Sequence, residues 1–481
     1  MMSVHKRLGL AAVVSLMVGV TWLPRAEASR LLNVTNFGVV GDGKTDNQAA
    51  LTHVFSMATP QTIVLFPAGV YLHSGRLNVG PGVVVLGSQA TLFGTNAAAQ
   101  SLNIIGNGTE VTGLALQGEP GGDPAIAISG RNETTIKANI FVGFTDDVDV
   151  TNSQQVGIEN NAFNPGSSGT AVKIASGSKI NVGSNTFTGF NPPVSQTGIS
   201  CNVTDIVIGS GNSFRNLSVG INVSSSKSAV IDKNTFGACQ TVIASNGASN
   251  MTITNNSCVN GNAFFNGANV GTKGLTVRAN TISTFNAGFE EFIGNTDATI
   301  ASNKFTTVGA VLGLAGDQNT KVTGNTMSNC GSAIVGELDT QLSLDSNTFT
   351  NCQDSINLVS ETSVDIISNT FTSSDGIKVS NSTNVNVGAN RMNSITTQGV
   401  FSDQNTGKVQ IHENEMLNCG LSASVNPPAV IFAGGGQDLS IVDNIYIGNA
   451  IHLQFFIDTP VAGAKVSGNK TTTMLPNKIG P

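Results

Sequence analysis

The chain has 481 residues, a formal charge of −7 and only 11% charged residues. That balance argues against a nucleic-acid partner, and six cysteines are too few to staple a fold of this size. Trp22 is the only Trp, and Tyr71 and Tyr446 are the only tyrosines, so a sugar-stacking surface has to use Tyr or Phe.

The chain opens with Lys6 and Arg7, an apolar run from Leu8 to Trp22, and Ala26-Glu27-Ala28. This is the pattern of a secretory signal peptide over residues 1–28, cleaved after Ala28. The run is short for a membrane span and no later stretch is longer, so the expected product is secreted, periplasmic or held at the cell surface. Losing Lys6, Arg7, Arg25 and Glu27 takes away a net +2, and the charge goes from −7 to −9.

Gly38, Gly43, Lys44 and Thr45 satisfy the phosphate-loop pattern G-x-x-x-x-G-K-T. The expected compartment holds little nucleotide, and no α/β context of a buried strand followed by a helix surrounds the pattern. A longer reading takes in Asn33-Val34-Thr35-Asn36-Phe37-Gly38-Val39-Val40-Gly41-Asp42-Gly43-Lys44-Thr45-Asp46, then an amphipathic stretch, then Thr62 to Tyr71. It resembles the N-terminal signature of the pectate-lyase-like superfamily, which includes polygalacturonases, rhamnogalacturonases, pectate-lyase-3-type proteins and phage tailspikes. The resemblance implies a right-handed parallel β-helix and an extracellular polysaccharide as partner. Ala49, Ala50, Leu51, Val54 and Phe55 put an apolar face on a helix within a cap segment, residues 29–62, with Thr45 or Asp46 as its N-cap. Such a helix can cover the open first coil.

From there an Asn-x-apolar triplet returns every 21 to 30 residues, at Asn139, Asn161, Asn185, Asn212, Asn234, Asn256, Asn280, Asn303, Asn325, Asn347, Asn369, Asn390, Asn414, Asn444 and more weakly Asn469. Short alternating runs flank it, as in Leu342-Ser343-Leu344 and Thr348-Phe349-Thr350. Period-two alternation means strands, and units this short bury a core only by stacking. The fold class is therefore all-β, a single-stranded right-handed parallel β-helix of roughly 22-residue coils over 63–470, with a tail at 471–481. The Asn fits a left-handed turn between strands and can hydrogen-bond from coil to coil. Whether the rod is a monomer or a homotrimer stays open.

The motifs expected of polygalacturonases, Asn-Thr-Asp, Asp-Asp, Gly-His-Gly and Arg-x-Lys in that order, are not reproduced. Asn295-Thr296-Asp297 and Asp146-Asp147 occur in reverse order, no His lies between two glycines, and no Asp-Pro-His-Asp is present. Phase points elsewhere: Asp317, Asp339 and Glu361 each lie fourteen residues after a phasing Asn, with Glu337, Glu290 and Glu291 nearby. Stacked carboxyls repel, so either one stays protonated, as an acid–base or acid–nucleophile pair requires, or a cation such as Ca2+ sits among Asp317, Asp339 and Glu361. Side chains splayed into solvent are the third reading, and Phe264, Phe265, Phe289 and Phe292 are either a sugar subsite or core.

Asp375 and Lys378 form a second candidate pair, while Lys173, Arg215 and His412 are isolated in phase. Cys330 and Cys352 each lie five residues after a phasing Asn, which puts them in disulfide range, and Cys201 and Cys258 read as core. Two functions follow: a glycoside hydrolase or polysaccharide lyase acting on an extracellular, uronate-containing or neutral glycan, or a non-catalytic structural, adhesive or surface-binding rod. Thr and Ser pairs after the phasing Asn, such as Thr348 and Thr350, suit the second.

Overall fold

The computed structural model describes residues 29–479 apart from 210, 268–270, 421–428, 436–437, 449–452, 458–463 and 472–477. The signal-peptide expectation lies outside the described residues. The described chain is a parallel β-solenoid of about 17 turns with one α-helix near its N-terminus. Among the described residues, no helix is long and apolar enough to cross a membrane.

Each coil carries three short strands, stacked on the coils before and after into three parallel sheets. Sheet A holds the strand before the phasing Asn, as in Thr340–Asp345 against Thr362–Ile367, with Leu342 opposite Val364. Sheet B holds the strand after it, as in Thr348–Thr350 against Thr370–Thr372, with Phe349 opposite Phe371. Sheet C closes the coil, as in Asp354–Val359 against Ile377–Ser380, with Ile356 opposite Ile377. Alternation along each strand sends every second side chain inward, so the core is a bundle of columns. Phe141, Phe163, Phe187, Phe214 and Phe236 form one, with rings stacked 4.6 to 4.9 Å apart.

The phasing asparagines are buried and form an internal ladder. Asn303 donates its backbone N–H to Asn325 Oδ1 at 2.9 Å and its side-chain amide to the same oxygen at 3.0 Å, and the amide also reaches Val277 O at 2.9 Å. The left-handed conformation falls one residue earlier than expected. Ala138, Ser184, Ala279, Ser302, Ser346 and Glu413 have φ of 54 to 56°, and each precedes a phasing Asn. The Asn supplies the hydrogen bonds and its predecessor makes the turn, so the predecessor varies in sequence while the Asn does not.

Helix α1, Gln48–Met57, packs Leu51, Val54 and Phe55 into the first coil, as the amphipathic pattern predicts. Its N-cap is Asn47, whose amide ties the preceding loop by accepting from Val40 N–H at 2.7 Å. Asp46 still serves the first turn, accepting the Gln48 N–H at 3.0 Å. Strand Arg30–Asn33 already pairs with Thr62–Leu65, so solenoid pairing begins inside the cap segment. At the other end Lys478–Ile479 pairs with Phe456–Ile457, which extends pairing into the segment read as a tail. The Gly38–Thr45 loop is not a phosphate cradle: Asp42 occupies the Lys44 and Thr45 amides at 2.9 and 2.8 Å.

Candidate functional site

The turn from sheet C into sheet A carries a second internal ladder. Asn295, Asp317, Asp339, Glu361, Ser382 and Asn405 take the same place on successive coils, and all are buried. The Asn295 N–H donates to Asp317 Oδ1 at 2.5 Å, the Asp317 N–H to Asp339 Oδ1 at 2.7 Å and the Asp339 N–H to Glu361 Oε2 at 2.6 Å. The Glu361 N–H donates to Ser382 Oγ at 3.0 Å, and the Ser382 N–H to Asn405 Oδ1 at 2.7 Å.

The phase relation among Asp317, Asp339 and Glu361 is thus as expected, but their direction is not. They point into the core with exposures of 0, 1 and 1%, so a surface acidic site at these three positions is corrected. The physical reason is that their carboxyls satisfy backbone N–H groups that the tight turn would otherwise bury unpaired. Burial raises the Asp317 carboxyl to about 6 and the Asp339 carboxyl to about 7. It raises Glu361 to about 8, with the Asp339 charge adding to the effect. Glu337 and Glu291 are exposed and Glu290 is half-buried on the outside of the coils, so none of them joins the ladder. Among the described residues, no group of three or more His, Cys, Asp or Glu is arranged to hold a metal ion. Phe264, Phe265, Phe289 and Phe292 are buried and packed edge to face, which makes them core rather than a sugar subsite.

The other sequence candidates scatter. Asp147 is buried with neither carboxyl oxygen partnered, and Asp146 pairs with Lys173 at 3.2 Å. His412 Nε2 lies 3.0 Å from Asn386 Oδ1, and Arg215 is exposed on sheet B. All six cysteines are buried thiols, and Cys330 and Cys352 are not bridged.

One arrangement does gather chemistry on an outer face. On sheet C, Asp354 begins the strand Asp354–Val359, and Asp375 lies on the next coil, each two residues before the paired Ile356 and Ile377. Asp354 is exposed and accepts from the Ser332 hydroxyl at 3.4 Å. Asp375 is half-buried and accepts from the Thr396 hydroxyl at 2.5 Å. Burial, followed by the negative charge of Asp354, pushes the Asp375 carboxyl above its ordinary value, while Thr396 pulls it back. Gly376 lets the coils close here: a Cβ would meet Gln398 O at 2.2 Å and Gly399 O at 2.3 Å.

Three residues along the same strands runs a second row, Asn357, Lys378, Phe401 and Phe432, in register from coil to coil. Lys378 Nζ lies 6.0 Å from the centre of the Phe401 ring, and Phe401 stacks on Phe432 at 4.7 Å and 10°. Two carboxyls, a cation and the half-buried Phe401 ring therefore share the outer face of sheet C, while Phe432 is buried behind it. Two grooves of about 250 and 330 Å³ lie away from it, one lined by Asp365, Asn386 and Lys408, the other by Asn286, Thr307 and Asn329.

Residues 31–244 match the family described as "Rhamnogalacturonase A/epimerase, pectate lyase-like", and residues 309–479 match "Right handed beta helix region". The chain is a right-handed parallel β-helix, pectate-lyase-like over its N-terminal part. No curated protein matches it by sequence. Among solved structures it is similar to the pre-mature gene product 12 of bacteriophage phi29, at 11% identity and TM-score 0.52, over 93% of this chain and 73% of that one. It is also similar to PfbA, a surface adhesin of Streptococcus pneumoniae, at 13% identity and TM-score 0.35, over 89% of this chain and 92% of that one. The family 28 exopolygalacturonase of Yersinia enterocolitica matches at 12% identity and TM-score 0.30, over 83% and 76%. At these identities the likeness is one of fold.

Within this right-handed β-helix, Asp375 and Lys378 were legible from the sequence, whereas Asp354, Phe401 and Phe432 were not. A usable signal existed: Asp354 and Asp375 each stand two residues ahead of an inward Ile, 21 residues apart. It was obscured because the phasing Asn sets the count from the far side of the coil.

Proposed function

We propose that the protein hydrolyses an extracellular polysaccharide lying across the outer face of sheet C, with Asp375 as general acid and Asp354 as base or nucleophile. The observation that carries this reading is two carboxyls on neighbouring coils that act on each other electrostatically, Asp375 half-buried and raised, Asp354 exposed. Glycoside hydrolysis needs an acid beside a base or nucleophile, and a carboxyl held above its ordinary value suits the acid. The half-buried Phe401 ring offers an apolar contact for a sugar ring, and Lys378 offers a cation for an anionic substituent such as a uronate carboxylate. The secretory pattern over residues 1–28 supports an extracellular substrate.

The openness of this face supports a second reading, a non-catalytic adhesive or structural rod. Both are tested by incubating the protein with acidic and neutral polysaccharides, with and without Ca2+, and following reducing ends and ultraviolet absorbance. Reducing ends that vanish in Asp354→Asn and Asp375→Asn, with melting temperature unchanged, are the expected result. Absorbance from unsaturated products indicates elimination, and silence across the panel leaves the rod. Turnover that survives in the double variant removes these two residues from catalysis. Asp317→Asn with Asp339→Asn is expected to leave turnover intact.

A further inference from the structure

The two internal ladders differ at one kind of atom. In the Asn ladder each side chain accepts through Oδ1 and donates through Nδ2, as when Asn325 donates to Asn347 Oδ1 at 3.0 Å. Asn295 keeps this double role in the second ladder, with its backbone N–H and its amide both donating to Asp317 Oδ1. Below it the backbone bonds continue through Asp339 and Glu361, but no N–H stands at the donor position of the side chain. In its place lie Asp317 Oδ2, Asp339 Oδ2 and Glu361 Oε1, all buried and all without a hydrogen-bond partner. An ionised carboxylate only accepts, so it cannot fill a donor's place, whereas a protonated carboxyl both accepts and donates as an amide does.

The Asp339 and Glu361 carboxyls each act on the other's ionisation. The titratable groups acting on the three are one another; Glu337, two residues before Asp339, is exposed. Packed against them are Asn295 above, Ser382 below and the Gly336 backbone alongside, where an added Cβ would meet Glu361 Oε1 at 2.8 Å and Asp339 Oδ2 at 3.0 Å. No cationic side chain is among the groups that shift them.

We propose that Asp317, Asp339 and Glu361 are held protonated as neutral substitutes for ladder asparagines, and that their ionisation makes the middle of the rod a segment that loosens as pH rises. The raised carboxyls support the direction. A group whose folded pKa lies above its unfolded value contributes stability that is fully present below the unfolded pKa, near 4 for a carboxyl, and is lost as pH rises through the folded value. With folded values of about 6, 7 and 8 for the three, the loss runs across neutral pH.

The test compares the full mature chain with Asp317→Asn/Asp339→Asn/Glu361→Gln, which puts an amide in each place. Melting temperatures are measured from pH 5 to 9 in EDTA and again in Ca2+. The wild type is expected to lose several degrees more than the triple variant over that range, and to show at pH 5 a stronger infrared carbonyl band of protonated carboxyls than the variant. If the triple variant does not fold, Asp339→Asn alone carries the comparison, and a smaller flattening of the profile is expected. Parallel pH profiles, or absence of the difference band at pH 5, overturn the proposal. So does a rise in wild-type melting temperature on adding Ca2+ that the variant does not share, since the carboxyls would then be ionised around a cation.

Discussion

Asn369 donates both its backbone N–H and its side-chain amide to a single atom, Oδ1 of Asn390, at 2.9 and 3.0 Å. Every ladder Asn thus holds the coil on either side of it, and removing one leaves donors buried without an acceptor. Asn347→Ala forfeits bonds to Val322 O and Asn369 Oδ1, orphans the backbone N–H of Asn325, and takes one acceptor from the Asn325 amide, which keeps Ile300 O. A loss of about 3 to 5 kcal/mol in unfolding free energy is expected, measured by denaturant titration. A loss below about 1 kcal/mol would mean that water or a shifted backbone replaces the ladder.

Asp147 is the opposite case, a buried carboxyl with no partner on either oxygen. Burial, reinforced by the charge of Asp146, raises it well above the ordinary carboxylate range. It corresponds to the inward position of Ala171 on the next coil. Asp147→Ala should therefore stabilise the protein by about 1 to 3 kcal/mol, read as a higher melting temperature. A destabilised variant would reveal a partner for this carboxyl.

The proposed acid predicts its own pH profile. A general acid works while protonated, so turnover should fall as pH rises through the raised pKa of Asp375. Thr396 holds that value down, and Asp354 holds it up. Thr396→Val should move the alkaline limb of kcat/KM to higher pH, and removing the Asp354 charge should move any residual limb lower. An alkaline limb that stays in place in Thr396→Val would separate Asp375 from the titrating group.

Thiol chemistry checks the core directly. Burial pushes the Cys201 and Cys419 thiols up to about 12 and the Cys239 thiol to about 11. Since the thiolate is the reactive form, native protein should react with an aromatic disulfide reagent only after denaturation, when six thiols appear. Four thiols after denaturation, with a mass two hydrogens lower, would mean that Cys330 and Cys352 are bridged.

The sequence alone determined the solenoid, because a coil too small to own a core must declare its register in every repeat. The phasing Asn carried that register, and the alternation on either side of it located sheets A and B. It also placed Asp317, Asp339 and Glu361 on successive coils, since equal spacing from Asn303, Asn325 and Asn347 means equal position. What it could not give was direction. Whether a turn residue faces in or out depends on one left-handed φ value, and residues as different as Ala138, Ser184 and Glu413 adopt it.

Only the tertiary structure decided that the three carboxyls serve the backbone inside the rod, because their acceptors and donors lie a whole coil away. The same holds for Asp354 and Asp375, for Lys378 over Phe401 and for Phe401 on Phe432: residues 21 to 31 positions apart become neighbours only when coils stack. Local spacing sets the period of such a fold, but the outer face is assembled between periods, and there the chemistry is chosen by contacts that no single repeat contains.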